Sequence, residues 1–119
     1  MRVVIKRAYD EVSQADGYRV LVDRLWPRGL RKEALALDEW DKDVAPSPEL
    51  RRWFDHSPER FGEFSARYQD ELANSTEPRA LLGRAKGADR ITLVYAAKDP
   101  EINHARVLRR LLKDLTDKS

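Results

Sequence analysis

The stretch from Asp16 to Gly29, DGYRVLVDRLWPRG, decides the fold. Asp16-Gly17 is a strong turn signal, and the residues from Tyr18 to Asp23 that follow it have the composition of a β-strand. The run of Val20, Leu21 and Val22 has no polar residue in it, which is typical of a strand covered on both faces. Such strands belong to parallel sheets with helices on each side.

Two other segments have the same character, Val3-Val4-Ile5 and Arg90 to Tyr95. A fourth short strand is predicted around Leu37 to Lys42, although the spacing of apolar residues between Leu35 and Val44 fits a helix as well. The sequence therefore predicts a small α/β domain, with a mainly parallel sheet of about four strands flanked by helices.

Three helix starts have nearly identical chemistry: Ser47-Pro48-Glu49, Ser57-Pro58-Glu59 and Asp99-Pro100-Glu101. Each offers a capping oxygen, a proline suited to a first helical turn and a carboxylate near the positive end of the helix dipole. A further helix is predicted from Pro78 to Lys86. The final helix is expected from about Pro100 to Leu115, with one leucine-rich side against the sheet and a basic side outward.

Composition sets the class of protein. The chain has 119 residues, of which 41% are apolar and 37% charged, with no cysteine and a net charge of +2. We expect one domain over residues 1–116 and a flexible tail at 117–119. Disulfides and thiolate-ligated metals are excluded, and the absence of a signal peptide or an apolar span predicts a cytoplasmic protein without a membrane partner.

The first candidate site segment runs from Asp23 to Gly29, at the carboxyl end of the second strand, where open α/β sheets bind ligands. Arg24 and Arg28 offer fixed donors to phosphate or carboxylate, and Trp26 offers a large aromatic surface. A structural interpretation fits the same residues: Trp26 fills the core, and the two arginines pair with the acidic middle of the chain.

The second candidate segment follows the third long strand. Lys98, Asn103 and His104 stand near the expected start of the final helix, where backbone N–H groups favour anions. His104 is the candidate for proton transfer, with Asp23 as its partner. The structural alternative makes Asp99 only an N-cap and His104 a packing residue. The other histidine, His56, is interpreted as a helix C-terminal residue.

The usual motifs for metals, nucleotides and acyl transfer are missing. Neither histidine belongs to an HxxxH or HExxH pattern, and GxSxG, GxGxxG and GxxxxGK[ST] do not occur. We therefore predict no metal and no cofactor.

The segments Arg19 to Gly29, Ala45 to Phe54 and Tyr95 to Asp99, together with Asn103-His104-Ala105, resemble the YeaO-like branch of the domain-of-unknown-function family 488. The resemblance implies a small bacterial and archaeal cytosolic α/β domain without an established activity. Wider relatives carry a cysteine near the end of the last strand and a Cys-His-Arg run at the next helix. Here Tyr95 stands near the first cysteine position, and Asn103-His104-Ala105 stands where the Cys-His-Arg run would fall. Thiol chemistry is therefore not implied for this chain, and His104 is the one residue of that pattern that is kept.

Three functions fit these observations. The leading hypothesis is a cleft that binds a small phosphorylated or nucleotide-like anion through Arg24, Trp26, Arg28, Lys98 and Asn103, with His104 and Asp23 as catalytic residues if a reaction occurs. The second is a nucleic-acid-binding module that uses the basic side of the final helix. The third is a structural or protein-interaction module, in which the acidic middle of the chain meets a basic partner that the sequence does not identify. Whether the protein is an enzyme stays open at this point.

Overall fold

A computed structural model describes residues 1–117. In chain order the elements are β1 (Arg2–Arg7), β2 (Tyr18–Leu21), α1 (Lys32–Leu35), β3 (Glu39–Trp40), α2 (Pro48–Phe54), α3 (Phe61–Ala73), α4 (Glu77–Arg84), β4 (Arg90–Tyr95) and α5 (His104–Asp117). Short 3₁₀ turns cover Gln14–Asp16, Lys42–Val44 and Pro58–Arg60.

The four strands form one sheet in the order β1-β4-β2-β3, and every pair is parallel. The predicted α/β architecture is therefore confirmed. In the register, Leu93 of β4 lies beside Ile5 of β1 on one side and Val20 of β2 on the other. The two central strands, β2 and β4, end next to each other, so the loops that follow them meet at the same edge of the sheet.

The run of Val20, Leu21 and Val22 is buried on both faces of the sheet, as predicted. Val20 and Val22 belong to the larger hydrophobic cluster, which packs α2 to α5 against the sheet. Leu21 faces the other way and contributes to a smaller cluster with Leu35 of α1. All three side chains are fully buried. This is why the strand has no alternating polar residues.

The stretch from Leu35 to Val44, which fitted either structure, contains the predicted strand in shorter form. β3 consists of Glu39 and Trp40 alone, and it pairs with the end of β2. The short helix α1 before it was not predicted; it has no side-chain cap that the sequence would reveal. At the other end of the chain, Asp117 is the last residue of α5, and residues 118–119 of the predicted tail lie outside the described residues.

The helix starts predicted at Ser47 and Ser57 are confirmed in position, although only Ser47 makes the capping bond, and the start predicted at Asp99 is wrong. Ser47 does cap α2, because its Oγ accepts from the Leu50 N–H. Ser57 instead donates its hydroxyl to Glu59. Asp99 accepts from the Glu101 and Ile102 N–H groups and closes an isolated turn, so the final helix begins at His104 and not near Pro100.

Asn103 takes the capping role predicted for Asp99. Its Oδ1 accepts from the Arg106 N–H at 3.1 Å, and its Nδ2 donates to the Asp99 carbonyl oxygen. The predicted direct strand-to-helix junction is therefore a loop over residues 96–103.

A buried ionic cluster ties the start of β2 to β1. The Asp16 carboxylate accepts from Lys6 Nζ, from Arg19 Nη1 at 2.7 Å and from the Ser13 N–H. The Arg19 guanidinium, 4% exposed, also donates twice to the Leu35 carbonyl oxygen. The cluster therefore holds the second half of β1, the start of β2 and the end of α1 together.

Gly17 is required beside this cluster. Its φ is +67°, and a Cβ there would lie 2.3 Å from the Arg90 carbonyl oxygen. The turn signal in the sequence therefore marks a close approach of two backbones.

Because of Asp16, we expect the free energy of unfolding to decrease in acid. Burial alone would raise the pKa of Asp16, but hydrogen bonds from the Ser13 N–H, Lys6 and Arg19 outweigh it and hold the pKa below its ordinary value of 3.8. Because the folded pKa is depressed, the stabilisation is complete above about pH 4 and is lost as the pH falls through the folded value. We expect the free energy of unfolding, measured by urea titration from pH 6 to pH 2.5, to fall more steeply below pH 4 in the wild type than in Asp16→Asn. Equal slopes would contradict this role.

Candidate functional site

A cavity of about 670 Å³ opens at the carboxyl ends of β2 and β4. Its walls come from the loops after these strands, from the residues after β1, and from α2 and α3. The structure brings all seven sequence-predicted site residues to this one cavity. They are Asp23, Arg24, Trp26, Arg28, Lys98, Asn103 and His104.

Asp23 and His104 form the polar centre of the cavity. Asp23 Oδ2 accepts from the Ala96 N–H at 3.0 Å, which joins the end of β2 to the end of β4. His104 Nε2 lies 3.0 Å from Asp23 Oδ1 and 3.0 Å from the Val22 carbonyl oxygen. Since both neighbours are acceptors, Nε2 carries the proton and Nδ1 is the nitrogen left for proton exchange.

The hydrogen of Nε2 points to Val22 and not to Asp23. Asp23 Oδ1 is buried and has no hydrogen-bond partner among the described residues, so its contact with His104 is an electrostatic approach without hydrogen-bond geometry. A small rotation of the imidazole would exchange one acceptor for the other. The fold therefore positions Asp23 and His104 side by side, but Asp23 Oδ1 has no hydrogen bond within the described residues.

Tyr68 supports His104 from the core side. Its ring meets the imidazole edge-on, with ring centroids 6.2 Å apart. Burial raises the pKa of Tyr68 well above its ordinary value, so the phenol stays protonated and donates to the Val44 carbonyl oxygen. The imidazole thus rests on a fixed aromatic surface.

Several cationic side chains in the cavity wall have few or no partners within the described residues. Arg28 and Lys98 are exposed, and within residues 1–117 their side chains make no hydrogen bond or ion pair. Arg24 donates from Nε and Nη2 to the carbonyl oxygens of Pro46 and Ala45, which leaves other N–H groups of its guanidinium for a ligand. The predicted pairing of these arginines with the acidic middle of the chain does not occur in the described structure.

Two predicted binding residues have their polar groups occupied. Both ends of the Asn103 amide are used in capping α5. Trp26 donates from Nε1 to the Leu30 carbonyl oxygen and packs edge-on against Trp40, at 5.3 Å between ring centroids. The indole N–H of Trp26 therefore has a structural role, and the Trp26 ring also lines the cavity.

Several residues of the cavity wall were not predicted as site residues, among them Tyr9, Arg51 and His56. Arg51 lies on α2, where a single charge resembles any solvent-exposed residue, and no local pattern distinguishes it. His56 follows the end of α2, consistent with its interpretation as a helix C-terminal residue, and it has a positive φ of +55°. The residues after β1 contain no catalytic motif, so the sequence alone does not predict them as part of a site.

The cavity holds no group of acidic or histidine ligands suited to a metal, as far as residues 1–117 show. The single such group in that range is Asp41, Asp43 and Glu77, which lies outside the cavity wall. The chemistry of the cavity is therefore that of fixed cations, one aspartate–histidine pair and apolar walls.

Comparison with known proteins identifies the family. A family model described as "Inactive DUF488-N3 subclade" matches residues 2–119. The chain belongs to this family. The resemblance inferred from Arg19 to Gly29, Tyr95 to Asp99 and Asn103 to Ala105, among other segments, is therefore confirmed over residues 2–119.

The relatives of this DUF488 protein are bacterial and uncharacterised. The uncharacterized protein Rv3073c of Mycobacterium tuberculosis is 48% identical over 114 residues, 93% of each chain. The uncharacterized protein YeaO of Escherichia coli is 45% identical over 115 residues, which is 97% of this chain and all of YeaO. No solved structure matches. In residues 1–117, no helix has both the length and the apolar character needed to cross a bilayer.

Proposed function

We propose that this protein binds a small phosphorylated anion in the cavity at the carboxyl ends of β2 and β4. One observation carries the proposal: Arg28, Arg51 and Lys98 come from three separate segments and reach the same cavity, and none has a side-chain partner within residues 1–117. Cations that converge on a concave surface without counter-charges favour an anionic ligand there.

The two carboxylates of the cavity wall offset its positive charge only in part, because four cations, Arg24, Arg28, Arg51 and Lys98, stand against Asp23 and Asp99. Asp23 is engaged with Ala96 and His104, and Asp99 accepts from two backbone N–H groups of its own turn. The excess of positive charge is thus left for a ligand. Arginine suits phosphate in particular, because its planar guanidinium donates two parallel hydrogen bonds to two oxygens.

The proposal is for binding, with turnover as a separate question. The family is described as an inactive subclade, which favours a binding role. His104 Nε2 is already held by an acceptor, so Nδ1 is the one site through which the histidine would exchange a proton. If a reaction takes place, His104 is the proton-transfer group, Asp23 its partner and the cations the groups that stabilise developing negative charge.

The basic side of α5 offers less support for nucleic-acid binding. Arg109 donates to the Val3 carbonyl oxygen, and Arg106 is engaged with Pro100 and Glu101. The basic side consists of Arg106, Arg109, Arg110 and Lys113, so two of its four cations already bond within the fold. Binding of a phosphorylated metabolite also agrees with the cytoplasmic location that we propose.

Replacing Arg28 with alanine should weaken anion binding. We expect the affinity for inorganic phosphate and ribose 5-phosphate, measured by isothermal titration calorimetry, to fall about ten- to 150-fold, because a hydrogen bond to a charged group contributes about 1.5–3 kcal/mol. The melting temperature should change little, since the Arg28 side chain is exposed and the Tyr9 hydroxyl bonds only to its backbone.

Arg31→Ala is the matched control for Arg28→Ala. Arg31 is also exposed, has no side-chain hydrogen bond within residues 1–117 and lies outside the cavity wall, so its replacement removes the same charge from the protein. We expect its anion affinity to stay near that of the wild type. Equal losses of affinity in the two variants would show that the effect comes from net charge alone. Unchanged affinity in Arg28→Ala would show that Arg28 does not bind the anion.

A further inference from the structure

Two large apolar side chains at the cavity remain exposed to water. Tyr9 is 46% exposed and Leu25 is 58% exposed. They account for half of the four large hydrophobic side chains that are exposed among the described residues, and both belong to the cavity wall. Single exposed apolar residues are ordinary, but two beside a set of unpaired cations form a surface of mixed chemistry.

The Tyr9 ring is fixed in place. Its hydroxyl donates to the Arg28 carbonyl oxygen at 2.9 Å, and the guanidinium carbon of Arg7 lies 5.2 Å from the ring centroid. Arg7 is itself held, because its Nε donates to the Ala97 carbonyl oxygen at 3.0 Å. The ring therefore bridges the loop that carries Arg28 and the loop that carries Lys98.

An exposed ring with a fixed orientation is suited to stacking. A planar group that packs against it loses little ring freedom on binding, because the hydroxyl and Arg7 already restrict the ring. Leu25 offers a second exposed apolar side chain in the wall of the same cavity. Neither contact would serve an inorganic anion.

The size of the cavity leads to the same ligand class. At about 670 Å³, it lies within the range of about 300–1,000 Å³ that is usual for sites of small organic ligands. A water molecule occupies about 30 Å³, and a phosphate ion is only a few times larger. Inorganic phosphate would thus leave most of the cavity, including the Tyr9 and Leu25 surfaces, in contact with water.

We propose that the ligand is a nucleoside-monophosphate-like molecule, whose aromatic ring packs on Tyr9 and Leu25 while its phosphate meets Arg28, Arg51 and Lys98. This inference rests on the proposed function and makes it more specific. It assigns Tyr9 the role of selecting ring-bearing phosphates over other phosphates.

Adenosine monophosphate and ribose 5-phosphate test the assignment, since they share the sugar phosphate and differ in the aromatic ring. By isothermal titration calorimetry, we expect the wild type to bind adenosine monophosphate about five- to 150-fold more tightly, the range given by stacking of one base on an aromatic side chain. Tyr9→Ala should remove most of this preference while ribose 5-phosphate binding stays unchanged. Tyr9→Phe, which keeps the ring, should retain the preference.

Val12→Ala is the matched control, because Val12 is 41% exposed and does not belong to the cavity wall; it should bind both compounds as the wild type does. Equal affinity of the wild type for the two compounds would overturn the ring assignment and leave phosphate binding standing. An equal loss of both compounds in Tyr9→Ala would also overturn it, because Tyr9 would then act by holding the Arg28 loop. Failure of both compounds to bind the wild type would overturn the proposed function as well.

Discussion

Asp16→Ala is expected to destabilise the protein by about 3–5 kcal/mol, because it leaves a buried arginine without its counter-charge. Arg19 is almost completely buried, and its Nη1 has Asp16 as its hydrogen-bond acceptor. Two bonds from Arg19 to the Leu35 carbonyl oxygen remain, but they do not neutralise the guanidinium. The same substitution removes the partner of Lys6 and the acceptor of the Ser13 N–H.

Urea unfolding at pH 7 measures this effect, with Glu11→Ala as the matched control. Glu11 is exposed in the same segment and makes no side-chain contact within residues 1–117, so the control should stay within about 0.5 kcal/mol of the wild type. A loss below about 1 kcal/mol in Asp16→Ala would show that water reaches Arg19 and that the cluster is not closed.

The parallel sheet could be predicted because its strands are buried on both faces. The runs of Val20 to Val22 and of Ile91 to Tyr95 are apolar enough to indicate strands without any alternating pattern. β3 could be predicted only approximately. With two residues, Glu39 and Trp40, it is held by pairing with β2 and by contacts of its side chains, which local sequence does not encode.

The misplaced start of the final helix has a specific cause. Asp99-Pro100-Glu101 is chemically a good helix start, and Asp99 does accept from the two N–H groups that a cap would satisfy. Asn103 competes four residues later and satisfies the Arg106 N–H. Propensity alone does not distinguish a cap that begins a helix from one that closes a single turn.

The candidate site was predictable to the extent that strand ends define it. Residues after β2 and β4 were expected at one edge of the sheet because parallel strands end together, and Arg28 and Lys98 do line the same cavity. Arg51 and Tyr9 come from elements whose position depends on tertiary packing. Their contribution to the cavity follows from where α2 and the end of β1 are placed, which their own sequence does not specify.

The network around Tyr68 joins the stability of the core to the geometry of the cavity. Tyr68 lies on α3, contacts Phe64 at 5.7 Å between ring centroids and meets His104 on its other side. Its hydroxyl donates to Val44, which begins the segment whose next two carbonyl oxygens accept from Arg24. One side chain thus fixes the wall that carries Arg24 and the surface under the imidazole.

Tyr68→Ala is therefore expected to cost about 3–5 kcal/mol, the range for removing a large buried aromatic side chain. Tyr68→Phe keeps the ring but leaves the Val44 carbonyl oxygen buried without its donor, and should cost about 1–3 kcal/mol. Urea unfolding measures both, with Gln69→Ala, an exposed neighbour on α3, as the control that should change little. If Tyr68→Phe equals the wild type, water replaces the hydroxyl and the bond to Val44 does not stabilise the fold. If Tyr68→Ala costs less than Tyr68→Phe, the ring is not part of a close-packed core, and its support of His104 would also have to be abandoned.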